Sequence, residues 1–427
     1  MKNFELKMSA SPTYFHIMEK CTKLRTEVPL PSSCLNPKYL FIFVLSVIVF
    51  ATIYFNSKDD LDPEVYNQID LNFDLKEDDP AKVKVNRSNL LIFTRYRSGS
   101  SLIGELFNRH PDVFYIFEPF KLFPQGSDWN LFIRREASKF LSDMSECNFQ
   151  KILNKSLSLQ NTNNSNVKMW VRKSFCHKAK LTTDPEDDIN CYKAPVTAME
   201  RLCKQFPWVV SKTIRIYDIN ALVPYLQRDN KVVSLLRDPR GMISSRIKIE
   251  QIKSNLSDEK YFRDMGLRTK EAAEHARIAC NDIKSNLKSV QKLVKSLPEF
   301  NKLHYIIRYE DFAENPVEKA KLLYRFAGLN YHQVVHQWLL KATSGGKSQQ
   351  HKPGSLNYSY STERESSIKT AYSWRFHLPF KIVKTIQKVC HKELLTLGYI
   401  SVNSIVELTD SDFKLHKNFT LPWLGQL

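Results

Sequence analysis

Two stretches of this 427-residue chain place basic residues, hydroxyls and glycine in an order that can hold an anion. In the first, Asn89-Leu-Leu-Ile-Phe-Thr94 reads as a strand, Arg95-Tyr-Arg-Ser-Gly-Ser-Ser101 as a turn, and Leu102-Ile-Gly-Glu-Leu-Phe107 as the start of a helix. Apolar positions 102, 103, 106 and 107 have helical spacing, so the turn delivers Gly99, Ser100 and Ser101 to a helix N-terminus. There, free backbone N–H groups and the helix dipole favour negative charge. Gly99 permits close backbone approach, the hydroxyls of Ser98, Ser100 and Ser101 add donors, and Arg97 supplies a forked cation. Ser100 and Ser101 also fit a plain helix cap, and the turn alone leaves both readings open. No G-x4-G-K-[ST] occurs here. Gly345-Gly-Lys-Ser348 imitates its end, but Lys341 stands where the first glycine belongs, which disfavours a nucleoside triphosphatase or P-loop kinase.

The second stretch repeats the plan. Lys231-Val-Val-Ser-Leu-Leu236 reads as a buried strand, followed by Arg237-Asp-Pro-Arg-Gly241 and the helix Met242-Ile-Ser-Ser-Arg246. Asp238 suits the helix cap and Pro239 its first turn. Arg237 at the strand's carboxyl end and Ser245 on the helix can hold a second phosphate, because ligands collect at that edge of open α/β sheets. Surface ion pairing is the competing reading for Arg237 and Arg240. Together, the two units suit one ligand with two separated anionic groups.

These turns need a sheet to hold them. Apolar strands at Leu90–Phe93, Val113–Phe117, Trp208–Val210 and Val232–Leu236 alternate with helical stretches at Leu102–Asn108, Lys270–Leu297 and Pro316–Ala327. Short continuous apolar strands between helices indicate a parallel sheet covered on both faces, hence an α/β domain. The domain is expected over residues 85–402, with a polar, Asn- and Ser-rich insertion at about 141–206 that shapes a substrate cleft, and a tail at 403–427.

Ahead of the domain, Tyr39 to Phe55 is a run of 17 residues without a charge or helix breaker, at the short edge of what spans a bilayer. Residues 1–38 carry six bases and three acids, whereas 58–79 carries nine acids and two bases. Positive charge stays cytoplasmic, so 1–38 is expected to be a cytosolic tail, 39–55 a retained signal anchor, and 56–84 a stem leading into the lumen. Of the net +18, the tail holds +3 and the acidic stretch 58–79 holds −7, which leaves +22 on residues 80–427. That excess asks for an anionic partner, and a lumenal position excludes nucleic acid. Six N-x-S/T sequons, at Asn86, Asn154, Asn163, Asn255, Asn357 and Asn418, lie beyond the run. Six of the eight cysteines (Cys147, Cys176, Cys191, Cys203, Cys280, Cys390) do too, where disulfides can form. Their pairing is open, and with no C-x2-C pair no metal is expected.

The ordered set of motifs resembles the PAPS-dependent carbohydrate sulfotransferases (PAPS is 3′-phosphoadenosine 5′-phosphosulfate). The match is nearest to the branch that sulfates the 6-hydroxyl of galactose, N-acetylglucosamine or N-acetylgalactosamine. Arg97-Ser-Gly-Ser-Ser101 with Gly104-Glu-Leu-Phe-Asn108 is similar to that family's 5′-phosphosulfate loop, and Leu236-Arg-Asp-Pro-Arg240 with Ser245-Arg246 to its 3′-phosphate site. Phe117-Glu-Pro119, Arg308-Tyr-Glu-Asp311, Thr362 with Arg364 and Ser366, Trp374-Arg375 and Leu397-Gly-Tyr399 follow in the family's order, over about 90–400. The resemblance implies a P-loop-like parallel sheet flanked by helices, lumenal, behind one N-terminal transmembrane helix in the Golgi. It implies sulfuryl transfer from PAPS to a sugar hydroxyl of a glycan or glycosaminoglycan, without a metal, with homodimerisation left open. It assigns the 5′-phosphosulfate to Arg97, Ser98, Gly99, Ser100 and Ser101, the 3′-phosphate to Arg237 and Ser245 with Arg364 adding to it, and the general base to Glu118. His110 and His351 are rivals for the base. A carboxylate that only pairs with a nearby arginine is the bland alternative for Glu118. A catalytically silent glycan-binding scaffold is the alternative for the whole chain. The sequence departs from the pattern at Lys121-Leu122, at Gly241 where alanine is usual, and in the looser Thr362–Ser366 segment.

Overall fold

Five strands with buried middles form one parallel sheet in the computed structural model, which describes residues 87–120, 129–155, 171, 174–178, 194–297, 299–345, 361–362, 364–419 and 421. The chain divides into two units, Met1–Val83 and Lys84–Leu427, and every described residue belongs to the second. The apolar run at 39–55 lies outside the described residues. Among those described, no helix is long and apolar enough to cross a membrane.

In chain order the elements that matter for the site are β1 (Ser88–Thr94), α1 (Ser100–Asn108), β2 (Val113–Phe117), α2 (Trp129–Ser145), α3 (Val196–Lys204), β3 (Trp208–Thr213), β4 (Lys231–Leu236), α4 (Pro239–Ser254), α5 (Met265–Ser296), β5 (His304–Arg308), α6 (Tyr309–Glu314), α7 (Pro316–Ala327), α8 (Ser367–Tyr372) and α9 (Phe380–Val389). The strand order is β2-β3-β1-β4-β5. The two outward connections diverge at the centre. From β1 the chain runs through α1 to β2 at one edge, and from β4 through α4 and α5 to β5 at the other. A crevice therefore opens beyond the carboxyl ends of β1 and β4, the position where open α/β sheets bind ligands.

Central β1 is apolar throughout because both of its neighbours and the covering helices exclude water, and Leu90, Leu91 and Ile92 are fully buried. Ile103, Leu106 and Phe107 of α1 pack with Leu323 and Tyr324 of α7 against Leu90, Ile92, Val210 and Val233. A second cluster forms where α4, α5 and α9 meet, from Ile243, Ile247, Ala276, Ile283, Ile382 and Ile386. Ala272, Ala276 and Cys280 recur every fourth residue of α5, so one smooth stripe admits α9 closely. A disulfide from Cys280 to Cys390, just after α9, ties that contact across 110 residues. A second, Cys147–Cys203, staples the end of α2 to α3, and Cys176 is disulfide-bonded too.

Candidate active site

The first turn begins where β1 ends, and its backbone is held in an uncommon shape. Arg97 and Gly99 both have positive φ, 71° and 85°. Glycine adopts that shape freely, whereas arginine does so at a cost. Gly99 is needed for a second reason: a Cβ there would overlap the Tyr309 ring of α6. No side chain caps α1, and while the Leu102 and Ile103 N–H groups donate to the Gly99 carbonyl, those of Ser100 and Ser101 are left for an external acceptor. Ser98 turns inward, its hydroxyl 3.7 Å from the Met242 sulfur, so its expected contact to an anion is left to its backbone. Ser100 and Ser101 open the helix.

The second turn is built differently. Asp238 caps α4 by accepting from the Arg240 N–H at 2.8 Å. The same carboxylate accepts from the Arg240 guanidinium at 2.7 and 3.0 Å. Arg240 is fully buried, donates also to Gln387 and to the Ile400 carbonyl, and stacks 4.4 Å over Trp374. It is thus a brace and not a surface ion pair. Glu310 accepts from the Asp238 N–H at 3.2 Å and from the Tyr399 hydroxyl at 2.7 Å. Burial, with Asp238 beside it, raises the Glu310 pKa. The distant motifs Arg308–Asp311, Trp374-Arg375 and Leu397–Tyr399 therefore converge on one turn and hold it from behind.

The two turns adjoin. Arg97 Nε donates to the Ser245 hydroxyl at 2.9 Å, and Arg237 Nη1 donates to the Arg97 carbonyl at 2.8 Å. Arg237 lies 4.6 Å over Tyr309, and its buried Nε has no hydrogen-bond partner among the described residues. A buried N–H left so is costly unless a ligand accepts it. Arg97, Arg237 and Arg364 all act on Tyr309, whose pKa burial raises against their opposing charge. The structure thus gathers every residue expected on the cofactor side.

Glu118 follows β2, with positive φ of 44° and 8% exposure. Its Oε1 accepts from Lys212 Nζ at 2.6 Å, and that ammonium lies 3.5 Å from the Ser100 hydroxyl and 4.3 Å from the Phe117 ring centre. Lys212, 1% exposed, was not a candidate in the sequence. The signal was a lone lysine shortly after the apolar run Trp208–Val210. It becomes legible only through the parallel register that sets Lys212 beside Phe117. Its partner is thus a lysine where the bland alternative supposed an arginine. His110 sits before β2, at the sheet's other edge. Both its ring nitrogens are used, with the Asn330 carbonyl at 2.9 Å and the Asp112 N–H at 3.1 Å. His351 and Lys121-Leu122 lie outside the described residues.

Comparison with known proteins agrees with this arrangement. The family described as "Sulfotransferase domain" matches residues 87–398. Carbohydrate sulfotransferase 1 of Danio rerio is 31% identical over 365 residues, covering 79% of this chain and 84% of its own. Carbohydrate sulfotransferase 6 of Homo sapiens is 28% identical over 344 residues, covering 74% and 82%. Among solved structures, the sulfotransferase domain from the curacin biosynthetic pathway overlaps 72% of this chain and 97% of its own at 15% identity and a TM-score of 0.40. With its domain matched almost end to end and its relatives covered over most of their length, the chain belongs to the carbohydrate sulfotransferases, a transferase family.

Proposed function

We propose that this protein transfers a sulfuryl group from PAPS to a sugar hydroxyl, the 6-hydroxyl of galactose, N-acetylgalactosamine or N-acetylglucosamine, on a glycan or glycosaminoglycan. The observation that carries the reading is the coupling of the two turns through Arg97, Ser245 and Arg237 beside the Glu118–Lys212 pair. PAPS would supply the activated sulfuryl group, and its 5′-phosphate, as PAP, would be the leaving group. The free N–H groups of α1, with Arg97, Ser100 and Ser101, hold the 5′ end; Arg237, with its open Nε, and Ser245 hold the 3′-phosphate, with Arg364 nearby. Glu118 takes the proton of the attacking hydroxyl as the new O–S bond forms and the S–O bond to phosphate breaks. Lys212, between Glu118 and Ser100, is placed to offset the charge gathering on the departing side. No metal is required by this scheme. The charge asymmetry around residues 39–55 supports a single-pass Golgi protein with a lumenal catalytic domain.

The test is sulfate transfer by the full-length chain from labelled PAPS to keratan, chondroitin and N-acetylglucosamine-terminated acceptors, with Arg97→Ala in parallel. Label on one acceptor, lost in the variant, supports the reading and names the sugar. PAP binding without transfer to any acceptor points to the silent scaffold. Absence of PAP binding contradicts the reading outright.

A further inference from the structure

Next to the cofactor turns lies a cleft of about 410 Å³. It is bounded by the residues that follow β1, those that follow β3, and one face of α4. Its walls carry Arg95, Arg215, Arg246 and Lys253. On α4, Arg246, Ile249, Glu250 and Lys253 recur at helical spacing, so the face is continuous with Ser245 and the Arg97 contact. Two acids stand near these four cations, so the walls keep a surplus of positive charge. Glu250 accepts from the Tyr261 hydroxyl at 2.9 Å and faces His275, and Asp282 is paired with Arg95 at 2.5 Å.

Two of the guanidiniums carry unmatched N–H groups. Buried Nε and Nη1 of Arg95 and Nε of Arg246 have no hydrogen-bond partner among the described residues. Burial lowers the pKa of both even with Asp282 at 2.5 Å from Arg95, which marks the cost of holding two cations close together there. The anions of the donor nucleotide are met by a different set, Arg97, Arg237 and Ser245. The cations of the cleft are left over from that set, on the side of the residues that follow β3.

We propose that this cleft seats an anionic group, a sulfate ester or a uronate carboxylate, carried by the acceptor chain beside the sugar that receives the sulfuryl group. The proposal rests on the transfer reading above and narrows its acceptor to an acidic glycan. Oxyanions of both kinds match forked guanidiniums, and a space of this size admits a sugar with its charged substituent.

The experiment is calorimetry on the full-length protein, with and without PAP, using three oligosaccharides of equal length. One is neutral poly-N-acetyllactosamine, one its sulfated form, and one uronate-bearing chondroitin. One of the acidic chains is expected to bind about tenfold more tightly than the neutral one, with the margin shrinking between about 0.05 M and about 0.5 M salt. Lys253→Ala, on the exposed side of α4, and Arg215→Gln are each expected to cut that margin about threefold or more. As a ratio between ligands, the margin is not moved by a loss of folded protein. Preference for the sulfated chain identifies a sulfate ester, and preference for chondroitin a carboxylate; either supports the proposal. Equal binding of neutral and acidic chains, a margin unchanged in both variants, or displacement of the acidic chain by PAP would overturn it. Transfer without acidic preference sinks the cleft alone. Acidic preference without PAP binding or transfer sinks the transfer reading and leaves the cleft standing.

Discussion

The turns after β1 and β4 are assembled from the same parts, yet they treat the helix that follows in opposite ways. In the first, Gly99 sits at the cap position, no side chain answers the first N–H groups of the helix, and on the proposed function the backbone itself is the receptor. In the second, Asp238 satisfies its own helix and locks Arg240 in place, so only the side chains of Arg237 and Ser245 face the crevice. On that proposal one turn gives up helix stability for anion affinity, and the other keeps its stability and delegates binding. Strand–basic turn–helix repeats are therefore not interchangeable, and substitutions at the two turns should fail in different ways.

The largest effect is expected from Gly99→Ala, which adds an atom where the Tyr309 ring lies and imposes a left-handed alanine. PAP binding and transfer should both fall below detection, by calorimetry and by label. Next comes Asp238→Ala. It removes the α4 cap and strands a buried guanidinium, so unfolding should become easier by about 3–5 kcal/mol in a denaturant titration. Arg237→Ala should leave the fold standing but weaken PAP about a hundredfold, since a charged hydrogen-bond donor is lost from a buried site. Ser101→Ala is the smallest, about threefold in the KM for PAPS, because a backbone receptor survives the loss of one hydroxyl. If Ser101→Ala cost more than Arg237→Ala, the contrast between the turns would be wrong.

Acid sensitivity should map to the second turn's side of the sheet. His304 on β5 is fully buried against Phe300 and hydrogen-bonded to Ser234 of β4 at 2.7 Å, and burial lowers its pKa to about 3. The unfolded chain takes up a proton below its ordinary value near 6.5, and the folded one does not. Stability is therefore complete above that value and declines as pH falls toward about 3. His304→Gln should flatten the dependence of Tm on pH over that interval; an unchanged slope would place the sensitivity elsewhere.

Much of this was legible in the sequence, for identifiable reasons. Val113–Phe117 and Pro316–Ala327 were read with the bounds the structure gives them, since each has continuous burial or clear helical spacing between breakers. The cap by Asp238 followed from local chemistry alone. β5 was missed: only five residues long, it starts with histidine and ends with arginine, both buried by partners distant in sequence. Lys212 was missed because its role depends on Glu118, 94 residues away. The disulfides Cys147–Cys203 and Cys280–Cys390 could not be chosen from spacing, because they join residues 56 and 110 apart that only the folded chain brings together. Arg240, legible as a basic residue, turned out to be enclosed by Trp374, Gln387 and Ile400 from the far end of the chain.

The central claim is that Glu118 acts on the acceptor hydroxyl while the two turns hold the donor. Comparing full-length Glu118→Gln with the unaltered protein, for PAP affinity and for sulfate transfer on the best acceptor, tests it most directly. The account predicts that PAP binds at least as tightly and that kcat falls about a thousandfold, in line with loss of a general base. Near-normal turnover with unchanged PAP binding would contradict it.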